Sequence, residues 1–171
     1  MKKIILFLFF ISSSVLLPAQ QYSASVRLGT GLSMSEPSAV PFTVEGIGHF
    51  NYNSHWAFGA GTGYGLYDDI STIPLFANIK YILNPVFEFV FFADCLAGYG
   101  FALTDDNNGG FYLNPALGIE KRLWKKRFTL SAGYQLQKLE RLKSSSNGYV
   151  SSQFAESLSF SSISLKLGII F

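Results

Sequence analysis

The sequence predicts an all-β fold, an eight-stranded antiparallel up-and-down transmembrane β-barrel. Apolar and polar residues alternate in about eight segments from Tyr22 to the end of the chain, and this period of two gives strands with one apolar and one polar face. The connections alternate between short and longer ones, as in small membrane barrels. The last segment, SISLKLGIIF at 162–171, ends on Phe171. A terminal strand this apolar is protected when it closes a barrel.

The first four predicted strands span 21–32, 42–52, 56–66 and 73–83. Each places apolar residues on one face and polar residues or glycines on the other, and the turn signals Asn53-Ser54 and Asn84-Pro85 follow the second and the fourth. The apolar faces carry, strand by strand, Tyr22, Val26 and Leu28; Phe42, Val44 and Phe50; Trp56, Phe58 and Tyr64; Ile73, Leu75 and Ile79.

The last four predicted strands span 87–101, 111–123, 128–137 and 162–171. The segment ALTDDNNGG at 102–110 is a predicted loop, and the serine-rich segment 138–157 is the longest predicted connection. Phe160 falls on the inward parity of the last strand, which predicts a bulge or a strand start near Ser161 or Ser162.

The first 20 residues are predicted to be a signal peptide, and 21–171 the barrel domain. Lys2 and Lys3 form a basic start, and residues 4–17 are apolar apart from three serines. An apolar run of about 14 residues is short for a membrane-spanning helix and typical of a secretory signal. LPAQ at 17–20 is the expected cleavage zone. An uncleaved N-terminal anchor is the alternative.

Charge and cysteine content exclude several classes of protein. The formal net charge of +2 comes from 13 basic and 11 acidic residues, and Lys2 and Lys3 account for the excess. The barrel domain is therefore neutral, without a general basic surface for nucleic acid. Cys95 is the only cysteine, which excludes an intramolecular disulfide and a cysteine-based metal cluster. We expect no cofactor and no metal site.

Aromatic residues on the apolar face fall at two levels, one near the short turns and one near the longer loops. Such rings match the aromatic girdles at the two membrane interfaces, although aromatic residues are common in β proteins generally. The predicted membrane-interface aromatics are Tyr22, Tyr52, Trp56, Tyr81, Phe87, Phe128 and Phe171 at the short-turn end, and Phe42, Tyr64, Tyr99, Phe111 and Tyr134 nearer the loop end.

The polar face of the predicted strands collects four acidic and four basic residues. A lone charge in a narrow barrel is costly, whereas mutually paired charges are accommodated. We therefore predict a structural charge network in the lumen and keep an ion pathway as the alternative. Its predicted members are Arg27, Glu45, Lys80, Glu88, Asp94, Glu120, Arg122 and Lys166.

Short motifs along the chain carry a resemblance to a known family. They are IPLF at 73–76 with Lys80-Tyr81, GYG at 98–100, GF at 110–111 with NPALG at 114–118, GYQ at 133–135 and the terminal Phe171. On these the chain resembles the small bacterial outer-membrane β-barrel protein family, of the porin-like, eight-stranded type.

The resemblance implies a cell-envelope protein of Gram-negative bacteria, located in the outer membrane and surrounded by outer-membrane lipid and lipopolysaccharide. It also implies assembly by the outer-membrane barrel insertion machinery, which reads the last strand. We expect both termini in the periplasm and a monomer. The expected barrel-closing assembly signal consists of Leu167, Gly168, Ile169 and Phe171.

Catalysis is not expected. Some similar barrels act on lipid A acyl chains and need a serine with a histidine at the outer leaflet. The only histidines, His49 and His55, flank the first short turn, at the other end of the barrel. We therefore predict no catalytic residues.

The loops are acidic. Carboxylates there can hold a divalent cation, but their spacing fits no defined calcium loop, and a solvated surface is expected. These acidic residues are Glu36, Asp68, Asp69, Asp105 and Asp106.

The predicted function is that of a non-enzymatic integral outer-membrane protein with a structural or surface-interaction role through its extracellular loops. Three alternatives stay open: a conduit or binder for small hydrophobic molecules, a lipid A-modifying barrel enzyme, and a secreted soluble barrel of lipocalin type. A lipocalin places its apolar face inside, which disagrees with the charged, glycine-lined inward face predicted here.

Overall fold

The structure is a computed structural model that describes residues 21–35, 40–67, 70–103, 107–124, 126–146 and 151–171. The predicted signal peptide, 1–20, lies outside these residues. Nine strands form one sheet. They are β1 (Tyr22–Ser33), β2 (Pro41–Asn51), β3 (Trp56–Tyr67), β4 (Ile70–Ile82), β5 (Phe89–Ala102), the two-residue β6 (Asn107–Asn108), β7 (Gly110–Leu123), β8 (Lys126–Ser146) and β9 (Ser151–Ile170).

The eight long strands close into an antiparallel barrel, which confirms the predicted fold class. Each long strand pairs with its neighbour in the sequence, and β9 returns to β1. The closing ladder runs from Ser25 opposite Ile170 to Ser33 opposite Ser162. The amide of Phe171 extends it by donating to the carbonyl oxygen of Ala24 at 2.8 Å. The apolar last strand therefore has a partner on both of its edges.

Side chains alternate between the two faces of the barrel wall along every long strand. In β1, for example, Val26 and Leu28 are exposed on the outer face, whereas Ser25 and Arg27 are buried inside. In β9, Leu165 and Leu167 point outward and Lys166 between them is buried. The barrel thus has an apolar outer band and a polar interior. Among the described residues, no helix is long and apolar enough to cross a membrane.

The predicted loop 138–157 is wrong, because most of this segment is strand. β8 and β9 pair in one register from Arg127 opposite Ile170 to Ser146 opposite Ser151. β1 leaves this hairpin at Ser162, and β6 pairs with β8 only as far as Arg141. Beyond the barrel rim, 142–146 and 151–157 form a two-stranded projection that we call the ribbon. The ribbon is not recognisable in the serine-rich sequence, because backbone hydrogen bonds between two paired strands form without any apolar periodicity.

The bulge predicted near Ser161 and Ser162 is also wrong. The β8–β9 ladder is continuous there, with Leu136 opposite Ser161 and Gln137 opposite Phe160. Phe160 keeps its inward parity and is buried. It packs in an apolar cluster that we call the plug, at the loop end of the interior. The plug consists of Tyr67, Ile70, Leu139, Leu158 and Phe160.

Candidate functional site

The barrel interior holds a set of buried ion pairs, and it is the first candidate site. Arg27 Nη1 lies 2.6 Å from Asp94 Oδ2, and both side chains are almost fully buried. In a narrow closed barrel these charges have no bulk water to solvate them, so each depends on its partner.

A second buried pair joins β9 and β2, the two strands that flank β1. Lys166 Nζ donates to Glu45 Oε1 at 2.5 Å. The Tyr112 hydroxyl donates to the same oxygen at 2.9 Å, and it accepts from Lys166 Nζ at 3.3 Å. Three side chains from β9, β2 and β7 thus form one hydrogen-bonded triangle across the barrel.

A third group lies towards the short-turn end. Glu120 accepts from Lys80 Nζ at 3.2 Å and from Arg127 Nη1 at 3.0 Å. Lys80 Nζ also lies 4.1 Å from the centroid of the Phe92 ring, a cation–π geometry. Next to this level His49 is buried, with Nε2 3.0 Å from Asn78 Oδ1. The ring of His49 is therefore part of the interior polar network. The hydrogen bond described for it joins it to an asparagine and not to a serine, the residue that a lipid A-modifying enzyme would need.

Six of the eight residues predicted for the lumen lie inside it: Arg27, Glu45, Lys80, Asp94, Glu120 and Lys166. Glu88 does not, because it sits in the turn between β4 and β5, where its side chain is 77% exposed and pairs with Lys121 Nζ at 2.9 Å. Arg122 does not either, since it lies one residue before the turn-side end of β7 and is exposed. The alternation of apolar and polar residues does not show where the barrel wall ends, and at the rim a residue of inward parity need not be buried.

Sequence reasoning missed several interior residues. Tyr112 and Phe92 are fully buried in the lumen, and Arg127 reaches into it from the short-turn rim. Tyr112 packs with Ile47, Phe76 and Leu96 in an apolar cluster. Tyr112 shares the face of β7 that carries Glu120, and this spacing is a signal in the sequence that could have found it. The residue type gives no such signal, because aromatic residues occur on both the lipid-facing and the interior side of the wall.

Above the ion pairs, the plug occupies the loop end of the lumen. The Tyr67 and Phe160 ring centroids lie 5.5 Å apart, and the Tyr67 hydroxyl accepts from Gln135 Nε2 at 2.6 Å. The interior therefore changes from charged pairs to a packed apolar layer along the barrel axis.

All twelve predicted interface aromatics are exposed on the outside of the barrel. Nine lie within strands with their side chains outward, as predicted by parity, and Phe171 directly follows β9. Tyr52 lies in the β2–β3 turn, and Phe87 lies at the tip of the β4–β5 turn with 98% of its side chain exposed. Their contact with lipid stays a prediction.

The residues of the predicted assembly signal surround the seam between β9 and β1. Leu167 and Phe171 face outward, and Ile169 is half-buried. Gly168 faces inward, where an added Cβ would lie 2.6 Å from Thr129 Oγ1 and 2.9 Å from Arg27 Cγ. Glycine at this position therefore leaves room for the Arg27 side chain to reach Asp94. Whether the insertion machinery reads these residues stays a prediction.

Metal binding finds no support in the described part of the chain, where no group of three or more potential ligands clusters. All five acidic loop residues discussed above lie outside the described residues.

The outer face carries two shallow apolar depressions near the short-turn end. One, of about 770 Å³, has small residues at its floor, among them Ala24, Gly48 and Ala60, and aromatic rings at its rim. The other, of about 480 Å³, lies beside Phe128 and Leu167. Phe171 borders both.

Comparison with known proteins gives structural matches alone. Neither a protein-family model nor a curated protein sequence matches the chain. The crystal structure of Neisserial surface protein A (NspA) is similar with a TM-score of 0.62 and 12% identity, over 88% of this chain and 96% of that one.

Two further structures match with lower scores. The N-terminal β-barrel domain of Pseudomonas aeruginosa OprF has a TM-score of 0.48 and 11% identity, over 87% of this chain and 97% of that one. A de novo designed transmembrane β-barrel has a TM-score of 0.46 and 12% identity, over 87% of this chain and 93% of that one. At 12% identity, the likeness to NspA concerns the fold alone. The chain has the closed eight-stranded fold of the bacterial outer-membrane β-barrels.

Proposed function

We propose that this chain is a non-enzymatic integral outer-membrane protein whose barrel anchors an extracellular interaction surface. The observation that carries the proposal is the distribution of polarity across the barrel wall. Leu28, Leu165 and Leu167 are among many large apolar side chains exposed on the outside, while charged side chains are buried within. A soluble protein rarely exposes a continuous apolar band of this kind, and lipid is the solvent that suits it.

The inward face supports a structural role rather than transport. The charged side chains of the lumen are paired with one another, and the plug fills the loop end. Eight strands enclose a space that side chains can fill. We therefore expect no steady ion conductance, and a planar-bilayer recording with open-channel currents would contradict this part of the proposal.

The ribbon supports the interaction role. It extends the β8–β9 hairpin past the barrel rim, at the loop end of the molecule. Loops and extensions on a rigid scaffold are the usual place for binding residues. We propose that the ribbon and the neighbouring loops face the outside of the cell, with both termini and the short turns in the periplasm.

Cysteine accessibility in whole cells tests this orientation. In a Cys95→Ser background, Ser144→Cys places a thiol in the ribbon and Ser54→Cys places one in the β2–β3 turn. A membrane-impermeant maleimide is expected to label the first in intact cells, and the second only after the outer membrane is permeabilised. The reverse pattern would refute the orientation.

A deletion variant tests the interaction role. Removing 143–156 and joining the strands by a short turn leaves the barrel ladders intact. We expect normal assembly with reduced adhesion of expressing cells to protein-coated surfaces. Unchanged adhesion on every surface tested would favour a purely structural role.

The second candidate function is the binding of small hydrophobic molecules. The outward depression floored by Ala24, Gly48 and Ala60 favours it, because apolar, aromatic-rimmed concavities suit such ligands. Saturable quenching of Trp56 by a nitroxide-labelled fatty acid in vesicles, abolished by Gly48→Leu, would support it. A lipid A-modifying activity is not proposed; unchanged lipid A mass spectra in a deletion strain are the expected result.

A further inference from the structure

Two aromatic residues occupy backbone positions that normally suit glycine. Phe87 and Trp124 have φ angles of 57° and 54°, and among the described non-glycine residues they alone have positive φ. Each is the first central residue of a two-residue turn: Val86 and Phe89 exchange backbone hydrogen bonds of 2.9 and 3.1 Å, and Leu123 pairs with Lys126. A bulky residue at positive φ is a conformational outlier, and hairpin turns favour glycine, asparagine or aspartate there.

Packing within the described chain does not offset this backbone strain. The side chain of Phe87 is 98% exposed and that of Trp124 is 95% exposed. Strained residues persist where they serve a function, and large rings held fully in water are unfavourable. The benefit of both rings therefore has to come from something outside the described chain.

The two turns form one surface. Lys121 Nζ on β7 pairs with Glu88 Oε2 in the β4–β5 turn at 2.9 Å and lies 5.0 Å from the centroid of the Phe89 ring. Arg122 and Lys126 are exposed beside Trp124. We call this surface the turn cluster; it consists of Phe87, Glu88, Lys121, Arg122, Trp124 and Lys126.

The turn cluster combines exposed rings with an excess of positive charge. Three of its side chains are cationic and one is anionic, and Lys126 Nζ also lies 3.8 Å from the centroid of the Phe171 ring. It sits where the outward apolar band ends, since Phe89, Leu123 and Phe128 next to it are exposed on the outer face. Aromatic rings sit at the headgroup level of a membrane, and lysine and arginine attract anionic lipid.

We propose that the turn cluster is a binding site for anionic phospholipid headgroups, which fixes this side of the barrel in the leaflet at the short-turn end. Phe87 and Trp124 insert between the glycerol backbones, and Lys121, Arg122 and Lys126 contact the phosphates. The site lies on one side of the barrel, because it involves the β4–β5 and β7–β8 turns and not the β2–β3 turn. It rests on the proposed membrane location.

The two tryptophans of the chain allow the site and the location to be tested separately. Trp56 is exposed on the outer face of β3 and is not a member of the turn cluster. A Trp56→Phe variant therefore reports on Trp124 alone, and a Trp124→Phe variant reports on Trp56 alone. Each is folded into phosphatidylcholine vesicles, and its fluorescence is titrated with brominated phosphatidylglycerol or brominated phosphatidylcholine.

We expect Trp56 to be quenched equally by both brominated lipids, and Trp124 to be quenched by phosphatidylglycerol at about five times lower mole fraction. Iodide in the aqueous phase should quench Trp124 weakly. Replacing Lys121, Arg122 and Lys126 by glutamine should equalise the two lipids at Trp124 and leave Trp56 unchanged.

The contrary outcomes point to different errors. If both lipids quench Trp56 but neither quenches Trp124, or if they quench Trp124 equally in the unsubstituted cluster, the lipid site is wrong and the membrane location stands. If neither tryptophan is quenched, the membrane location fails and the site fails with it. A Trp124 that is open to iodide in vesicles, and becomes shielded only on addition of another envelope protein, would assign the turn cluster to a protein partner.

Phe87→Gly and Trp124→Gly add a backbone control. Glycine relieves the positive φ, so these variants should fold at least as well as the parent if the rings do nothing. In the proposed site Phe87→Gly should lower the lipid selectivity of Trp124 quenching, measured in the Trp56→Phe background. Trp124→Gly removes the reporter ring itself, so only its stability in vesicles is compared with that of the parent. Full selectivity in Phe87→Gly would remove Phe87 from the site.

Discussion

Glu45→Gln removes one charge from the most tightly connected group of the barrel interior. The Glu45 carboxylate accepts from Lys166 Nζ at 2.5 Å and from the Tyr112 hydroxyl at 2.9 Å. Glutamine keeps the size and one acceptor oxygen, so the change is close to isosteric. It leaves the ammonium group of Lys166 buried opposite a neutral amide.

The magnitude follows from burial. The Lys166 and Glu45 side chains are 2% and 1% exposed, so water cannot solvate the charge that remains. Removing one partner of a buried ion pair costs about 3–5 kcal/mol. With a urea dependence of about 2 kcal/mol per molar, a loss of about 4 kcal/mol lowers the unfolding midpoint by about 2 M.

The assay is urea unfolding of the protein in lipid vesicles, followed by tryptophan emission and by gel mobility. Glu88→Gln is the matched control, since it makes the same substitution in an ion pair on the surface. An exposed pair contributes about 0–1 kcal/mol, so the control should barely move the midpoint. Combining Glu45→Gln with Lys166→Met should recover part of the loss, because no unpaired charge is then left at this pair.

A Glu45→Gln midpoint that falls no further than that of Glu88→Gln would show that the Glu45–Lys166 pair is not shielded from water. It would mean that Lys166 reaches solvent or another acceptor, and that the lumen is more hydrated than its packing indicates.

Four further substitutions probe the wall, the plug and the interior hydrogen bonds, each measured by the same unfolding assay. Gly61→Ala places a Cβ against the backbone carbonyl oxygen of Gly46 and 2.8 Å from Cε2 of Phe76, and it should cost about 1–3 kcal/mol. Gly46→Ala, with no atom within 4 Å of the added carbon, should be neutral; equal effects would contradict the close packing. Phe160→Ala should lower the free energy of unfolding by about 3–5 kcal/mol as a core truncation. A loss below about 1 kcal/mol would mean that this side chain is not packed in the plug. Asn114→Ala removes side-chain donors to the Tyr134 carbonyl and the Ser164 hydroxyl, at 3.1 and 2.9 Å; it should cost about 1–3 kcal/mol, and no change would mean that water replaces both bonds.

The strand pattern was predictable from sequence because one face of each barrel strand is apolar throughout the outer band. That period of two identified all eight long strands and the inward side of Arg27 and Lys166. It also placed Phe171 at the closing seam, which the β1–β9 ladder confirms. Parity carries this information wherever the wall separates two different environments.

The misses lie where that contrast disappears. Beyond the rim the hairpin sequence is rich in serine and charge and lacks the apolar alternation of the barrel strands, so the ribbon in β8 and β9 reads as a polar loop. At the turns, parity no longer decides burial, which is why Glu88 and Arg122 were assigned to the lumen. In the plug, Phe160 is apolar and faces inward, whereas inward positions nearer the short turns are mostly polar or glycine. The sequence pattern therefore predicts a bulge or a strand start next to Phe160, and the structure has neither.

The partner of each charge was not predictable. The sequence gives the same inward parity to Asp94 and Glu120, and only the shear between strands sets which base each one meets. The structure assigns Arg27 to the first and Lys80 with Arg127 to the second.

The location proposed for the apolar outer band of the barrel is the outer membrane. Cell fractionation followed by gel electrophoresis, with and without boiling of the sample, tests this location. We expect a band that separates with outer membranes and changes its mobility on boiling, as a detergent-resistant closed barrel does. A band in the soluble periplasmic fraction, with the same mobility before and after boiling, would contradict it.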